Sequence, residues 1–577
     1  MKFKRIVSVV VFTLFTSLSF VFSQEILGKF NTSWSSVLPG EVVSEPAVTS
    51  YGFCVVTDGR TISAYSNDGL LLWEKSTGSS KNVSITGLPG DFIILWDKRN
   101  ETIKLFNPSG TVLWEKNLDF ELINNPLPGR DGRFFISGKD VVQCYGINGI
   151  CKWSVETNEQ RNLGIQELPD GSIVVFLKEV EGKTKALRIS PFGKILEDIT
   201  LAGIVKSSYT INDGVFLTFT DGSSGLFSII DGLSKNKWVL GVKPENSLLV
   251  CNSSNFLFLE LFKDHVIVDR IDSKDGTIVQ QFTINNINGL NLKIAKLTNE
   301  GLFIADSDNC YVYSLKGLKN WSAQMLEDKS STRWNYVIYT NDNHIVFCLE
   351  NWSLNSYLTV QTRVRQKSAL KNSYREYYSI DTTPYSYYFT DQISRNIVNE
   401  ERFTILKNGY YGEDEIEYAS DIFSMCTAYL HSTGKMHTTK TVSIFDQDAY
   451  GTESCFKQLA LFCTNDSAFY LSKLIASTNN RAYLNVLFSS VAQCGYDPDG
   501  KILKELELAI KKIDRKENST LKSACDAVFS ICNFMGIPAY NRKGKEILKN
   551  LFMPQYDSVI REYARDTMMK IIEIENT

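Results

Sequence analysis

The side chains with which this 577-residue chain could do chemistry are few and scattered. Of four histidines, His265, His344, His431 and His437, only the last two lie close, six residues apart around Gly434. That spacing suits a solvated loop better than a metal site on one helix face. The twelve cysteines include no CxxC and no adjacent pair. Cys144 and Cys151 flank the turn Gly146-Ile147-Asn148-Gly149 and could face each other across a hairpin as a disulfide. The preferred alternative is that both are small buried apolar side chains, and the other ten read as core. Strand-end acids such as Asp97, Asp140, Asp221 and Asp306 could ligate a cation, yet loop aspartates are ordinary turn formers. Asp272-Ser273-Lys274-Asp275-Gly276 resembles a calcium loop without its distal bidentate glutamate, so a turn is expected. There is no Walker loop, HExxH, GxSxG or CxxCH haem motif, and we assign no catalytic, cofactor-binding or metal-ligating residue.

The elements that carry these residues follow a repeat. Gly69 stands four residues before Trp73, Gly110 before Trp114, Gly149 before Trp153 and Gly317 before Trp321. Degenerate copies fill the gap: Gly193 with Glu197, Gly232 ahead of Trp238, and Gly276 with Gln280. The seven marks at 73, 114, 153, 197, 238, 280 and 321 are 39–44 residues apart. Within each period, runs of about five β-branched and aromatic residues are broken by Gly, Asn and Asp, as strands and hairpins require. The first unit predicts strands at Phe53–Thr57, Thr61–Ser66 and Leu70–Lys75, with a shorter one at Pro46-Ala47-Val48. Four short strands per forty-odd residues is one blade of a β-propeller. The glycine belongs in the hairpin between third and fourth strands, and the tryptophan on the fourth strand fills the wedge between blades.

The two ends of the repeat explain each other. Trp34 lies 39 residues before Trp73 and occupies a fourth-strand position with no three strands ahead of it. Trp334–Thr340, His344–Leu349 and Ser356–Gln361 supply three strands with no fourth. Pairing the N-terminal strand with the last blade closes an eight-bladed ring.

The stretch Ala64-Tyr65-Ser66-Asn67-Asp68-Gly69-Leu70-Leu71-Leu72-Trp73 resembles the tryptophan-docking repeat of the pyrroloquinoline quinone (PQQ)-like propellers, which places alanine nine and glycine four residues before the tryptophan. Later copies keep glycine and tryptophan better than alanine, having Leu105 and Cys144 there. The resemblance covers about residues 25–363. It implies two branches: quinoprotein dehydrogenases, which hold PQQ with calcium in the ring centre, and the BamB-like assembly factors, which have the fold without the cofactor. The first implies calcium ligands, a catalytic aspartate and, in alcohol-oxidising members, adjacent cysteines; no Cys-Cys occurs. WD-repeat propellers share the period, but their recurrent Gly-His cannot be built from four histidines.

Composition changes after about residue 363. A Tyr-rich linker, 364–390, contains Tyr374, Tyr377, Tyr378, Tyr385, Tyr387 and Tyr388, read as packing between domains with a carbohydrate platform as the alternative. Residues 391–577 then show helical periodicity, with candidates at Asp391–Lys407, Glu415–His431, Glu453–Cys463, Ser467–Ser477, Arg481–Cys494, Gly500–Ile513, Thr520–Met535, Arg542–Leu551 and Asp557–Ile574. Phe488-Ser489 with Gly495 and Pro498 resembles Phe529-Ser530 with Gly536 and Pro538, a 41-residue offset that suggests HEAT-like paired helices. The basic run from Lys511 to Lys516 ends one of them, where cations meet the helix dipole favourably.

At the N-terminus, Lys2, Lys4 and Arg5 precede an apolar run from Ile6 to Phe22, and Val21 and Ser23 suit a signal-peptidase site ahead of Gln24. An uncleaved anchor is the alternative, and no later segment spans a bilayer. No cysteine precedes Cys54, so a lipoprotein is not expected. Loss of residues 1–23 takes the net charge from −4 to −7. Near balance of 61 basic and 65 acidic residues leaves no footprint for nucleic acid. The sequence therefore predicts an exported, periplasmic, non-catalytic scaffold of an eight-bladed propeller and a helical-repeat domain, which binds protein partners in the cell envelope. A degenerate PQQ- and calcium-dependent dehydrogenase and a polysaccharide-binding module are the alternatives.

Overall fold

The structure, a computed structural model, describes residues 32–358 and 456–576 apart from short breaks within each. Residues 1–23, expected as a signal segment, the Tyr-rich linker, His431 and His437 lie outside the described residues, as do the first two helix candidates. Residues 32–358 form eight four-stranded antiparallel sheets, seven of them built from consecutive strands. The eighth joins Trp334–Tyr339, His344–Leu349 and Ser353–Leu358 to the N-terminal strand Thr32–Val37. Trp34 pairs with Ser356 and Val37 with Ser353, so the expected closure and blade number are both present. One boundary moves: the last blade's third strand starts at Ser353 rather than Ser356. Trp352, directly ahead of it, adopts the left-handed φ of 63°, as Glu101 does with φ 52° ahead of the second blade's third strand.

Strand position within a blade dictates its pattern. Second strands are covered on both faces by neighbouring blades, and Gly52–Thr57, Phe92–Asp97 and His344–Leu349 are buried throughout. Fourth strands, at the rim, alternate instead. The apolar core is accordingly divided among the wedges between blades. Cys54, Val56 and Ala64 meet Ile93, Leu95 and Phe106 in one wedge, and Phe53 and Tyr65 meet Val346 and Leu354 in another.

The repeated tryptophans close these wedges by reaching forward to the next blade. Trp34 donates its indole N–H to the carbonyl of Asn67 (2.7 Å), Trp73 to Pro108 (2.8 Å), Trp114 to Ile147 (2.9 Å) and Trp238 to Ser273 (2.9 Å). Each acceptor lies in the next blade's turn between third and fourth strands. The ring lies flat against the glycine of that turn: a Cβ on Gly69 would collide with the Trp34 indole, and Gly110 meets Trp73 in the same way. Gly69 also needs φ 79°, so two independent constraints require glycine.

Two degenerate copies use other chemistry. Glu197 accepts from the backbone N–H of Leu233 in the fifth blade (2.8 Å) and pairs with Arg188 of its own blade (2.6 Å), a carboxylate acceptor replacing the indole donor. Gln280 holds the register position across from Arg270, but the ring against Gly317 is that of Phe282, two residues further along the same face.

After the propeller, helices α1 (Asn465–Ser477), α2 (Arg481–Cys494), α3 (Lys501–Ile510), α4 (Asn518–Met535), α5 (Pro538–Asn550) and α6 (Ser558–Asn576) follow. Residues 456–461 of the preceding candidate are helical where described. α4 packs between α2 and α6, and α1 lies along α3. Gly495 and Gly536, the anchors of the sequence offset, end α2 and α4 with φ 66° and 62°.

Candidate partner-binding surface

The rim of the propeller is built by one recurring irregularity. In the first seven blades the register between third and fourth strands slips one residue before the mark, leaving Leu72, Leu113, Lys152, Leu196, Lys237, Val279 and Asn320 as the extra residue. A bulge of this kind twists the outer strand and re-aims its side chain, which also blunts a sheet edge against further strand pairing.

In two blades the re-aimed residue meets the helices. Lys152 of the third blade donates its ammonium to the Leu461 carbonyl, beside Asn148 Nδ2 at 3.4 Å from the same oxygen. Burial holds this lysine below its usual range. Leu113 of the second blade packs on an apolar cluster shared by Phe92, Phe134 and Ile147 of the propeller with Leu459, Phe488 and Ile531 of the helices. Phe92 sits at 5.5 Å from Phe534 and 6.3 Å from Tyr496, ring centre to ring centre. Asn107 completes the joint. Its Oδ1 accepts from Ser109 and Thr111 N–H groups, and its Nδ2 donates to the Asn533 carbonyl (3.0 Å), one of the acceptors left over at the end of α4. Gly536 passes so close that a Cβ would lie 2.5 Å from Asn107 Nδ2.

In three other blades the same bulge residue is apolar and open. Leu72 is 45% exposed, and its neighbours Leu70 and Leu71 are 62% and 53% exposed. Leu196 beside Ile195, and Val279 beside Ile278, repeat the arrangement in blades four and six. The first blade thus carries three consecutive leucines at an outer strand with no further described strand beside it, next to the blade where the helices dock.

The residues singled out for chemistry take structural places. Asp97 accepts from Arg99 and Asn100 N–H, Asp221 from Ser223, and Asp306 from Asn288 and Asn309, all within or between turns. The Asp140 carbonyl accepts from Thr157 N–H. Asp272 and Asp275 accept from Lys274 and Thr277, the expected turn. Cys144 lies opposite Trp153 while Cys151 lies opposite Tyr145, so the two thiols occupy opposite faces of the hairpin and the disulfide alternative fails on register. Cys144 is buried, and Cys151 is exposed rather than core. Polar groups on or just ahead of the first strands of neighbouring blades bond each other: Ser84 Oγ to Asn125 Oδ1 at 3.1 Å, and Gln166 Nε2 to Thr210 Oγ1 at 2.8 Å. Among the described residues no three His, Cys, Asp or Glu side chains converge as metal ligands. Nor, among them, is any helix long and apolar enough to cross a membrane.

The fold is thus an eight-bladed β-propeller followed by a helical region. Residues 58–202 match the family model described as outer membrane protein assembly factor BamB. No curated protein matches the chain. Among solved structures, BamB from Moraxella catarrhalis is similar at 11% identity and a TM-score of 0.41, covering 57% of this chain and 100% of its own. Sqt1 from Saccharomyces cerevisiae gives 12% identity and 0.43 over 57% of this chain and 99% of that one. The computationally designed Ika8 protein gives 12% and 0.42 over 56% and 98%.

Proposed function

We propose that this chain is a non-catalytic scaffold of the bacterial cell envelope, exported by its N-terminal segment, which holds a protein partner at the rim of its first blade while its HEAT-like helices occupy blades two and three. The observation that carries the reading is the equivalence of Leu72, Leu113 and Lys152. Two of these bulge residues hold the helical region of the same chain, and the third offers three exposed leucines that no described part of the chain covers. Exposed apolar rows of this kind mark interaction surfaces. The bulge disfavours addition of a strand, so the partner that fits is an apolar helix face, the chemistry already used next door. The match to an outer membrane protein assembly factor agrees with an envelope setting, and a role in outer-membrane protein assembly is the corresponding finer reading.

A photoreactive residue at position 72 should cross-link a partner in envelope membranes, through an amphipathic helical segment of that partner, and Leu71→Asp should abolish the product without altering the circular dichroism of the chain. Cross-linking no stronger than from position 74 would overturn the reading. So would a quinone absorbance and dye reduction on addition of PQQ and calcium, which would favour a dehydrogenase.

A further inference from the structure

Cys463 and Cys494 read in the sequence as unrelated core residues, yet their sulfurs lie 3.4 Å apart and both side chains are buried. Cys463 precedes the N-cap of α1, Thr464, and Cys494 is the last residue of α2. The backbone at Cys463 is left-handed, with φ 50°, an uncommon conformation for a non-glycine residue that the packing here imposes. Two residues earlier, the Leu461 carbonyl receives Lys152 and Asn148 of the third blade. The pair therefore sits where the helical region is fastened to the propeller.

We propose that Cys463 and Cys494 form a disulfide that staples the start of α1 to the end of α2 and fixes the segment docked on the third blade. Approach to bonding distance needs a closure of about 1.4 Å, within reach of side-chain rotation. The hydrogen bond between the sulfurs lowers the Cys494 thiol, whereas burial pushes the Cys463 thiol well up against the smaller opposing pull of the Lys152 ammonium. Cys494 is thus the attacking sulfur. The oxidant is a small or protein disulfide. The Cys494 thiolate attacks one of its sulfurs and the oxidant's S–S bond breaks, releasing one thiol. The Cys463 thiolate then displaces the second, so two electrons and the two thiol protons pass to the oxidant as the Sγ–Sγ bond forms.

The test uses the reduced full-length chain in a glutathione disulfide buffer, followed by denaturation, alkylation and peptide mapping. The Cys463 and Cys494 peptides should appear as one species that splits on reduction, with their alkylation reduced about tenfold relative to Cys348 and Cys525. In the linked form, tryptic cutting near Leu461 should slow. Alkylation of all four cysteines to the same extent would overturn the proposal. Cys463→Ser, checked by circular dichroism for an unchanged fold, should leave the Cys494 peptide either alkylated or carrying one glutathione, and never joined to another peptide of the chain; a chain that loses its fold on this substitution is replaced by Cys494→Ser, in which the Cys463 peptide should behave in the same way. The outcome is independent of any partner at the first blade.

Discussion

Trp34 donates its indole N–H to the Asn67 carbonyl at 2.7 Å, and the strand that carries Trp34 is hydrogen-bonded to the last strand of the ring. One side chain therefore joins the eighth blade to the first. Its ring also lies nearly parallel to Phe53, 6.3 Å between centres, so both its polar and its apolar surfaces are spent on closure.

Removing that ring should open the seam between the chain's two ends. Trp34→Ala is expected to cost about 3 kcal/mol, the lower end for a large aromatic because the side chain is half-buried. Urea unfolding followed by tryptophan fluorescence measures it, and Trp34→Phe should recover most of the packing while losing the hydrogen bond. An unchanged midpoint in Trp34→Ala would show that the seam does not limit stability.

Gly69→Ala combines a left-handed backbone with a collision against Trp34. A loss of about 1–3 kcal/mol is expected from the backbone alone, with the displaced indole adding to it. Gly182, also at positive φ but with open space where a Cβ would stand, is the comparison: Gly182→Ala should lose only the backbone share.

Phe92→Ala should uncouple the two regions. Phe92 is fully buried between Tyr496 and Phe534, and its truncation is expected to cost about 3–5 kcal/mol at the joint. Calorimetry should then resolve two transitions where one is expected for the unaltered chain, and a single shifted transition would argue for a joint that survives without this ring.

Stability should fall as pH rises from about 4 to 7. Burial pushes Asp497 up to about 7, against backbone bonds from Ile502 and Leu503, and pushes Asp91 up to about 6, against bonds from Ser50. Both acids keep their proton in the folded chain at pH values where the unfolded chain has lost it. Each therefore contributes stability that is present below about pH 4 and lost as pH approaches its folded value, at about 1.4 kcal/mol per unit. Glu507, held low by Lys543, has the opposite sign and acts below this window. Urea midpoints at about pH 4.5, 6 and 7.5 measure the slope, and Asp497→Asn should flatten its upper part.

Much of the ring was legible because its marks obey one period and each performs the same act. The spacing from Trp73 to Trp321 counts the blades, and the lone Trp34 with three unmatched strands identifies the closure. Where a mark degenerates, spacing still gives its position but not its substitute: Glu197 reaches Leu233 through a carboxylate, and Phe282 takes the wedge beside Gln280. The joint between Phe92 and Phe534 left no local trace, since an aromatic at a strand end or in a helix's last turn reads alike whether it meets solvent, a blade or a helix. Cys463 and Cys494 were illegible for the same reason, being 31 residues apart in separate segments. Cys151 shows the converse error, because a turn length alone does not reveal that Tyr145, and not Cys144, stands across from it on an exposed outer strand.

The seam at Trp34 also sets an order of events during synthesis. Thr32 pairs with Tyr357, which at about 5–20 residues per second leaves the ribosome roughly fifteen seconds to a minute later. Throughout that interval the earliest strand waits without its mate while seven blades become available, so the nascent molecule is a broken circle with one sticky end, and whatever guards that end decides whether it snaps shut or seizes a neighbour.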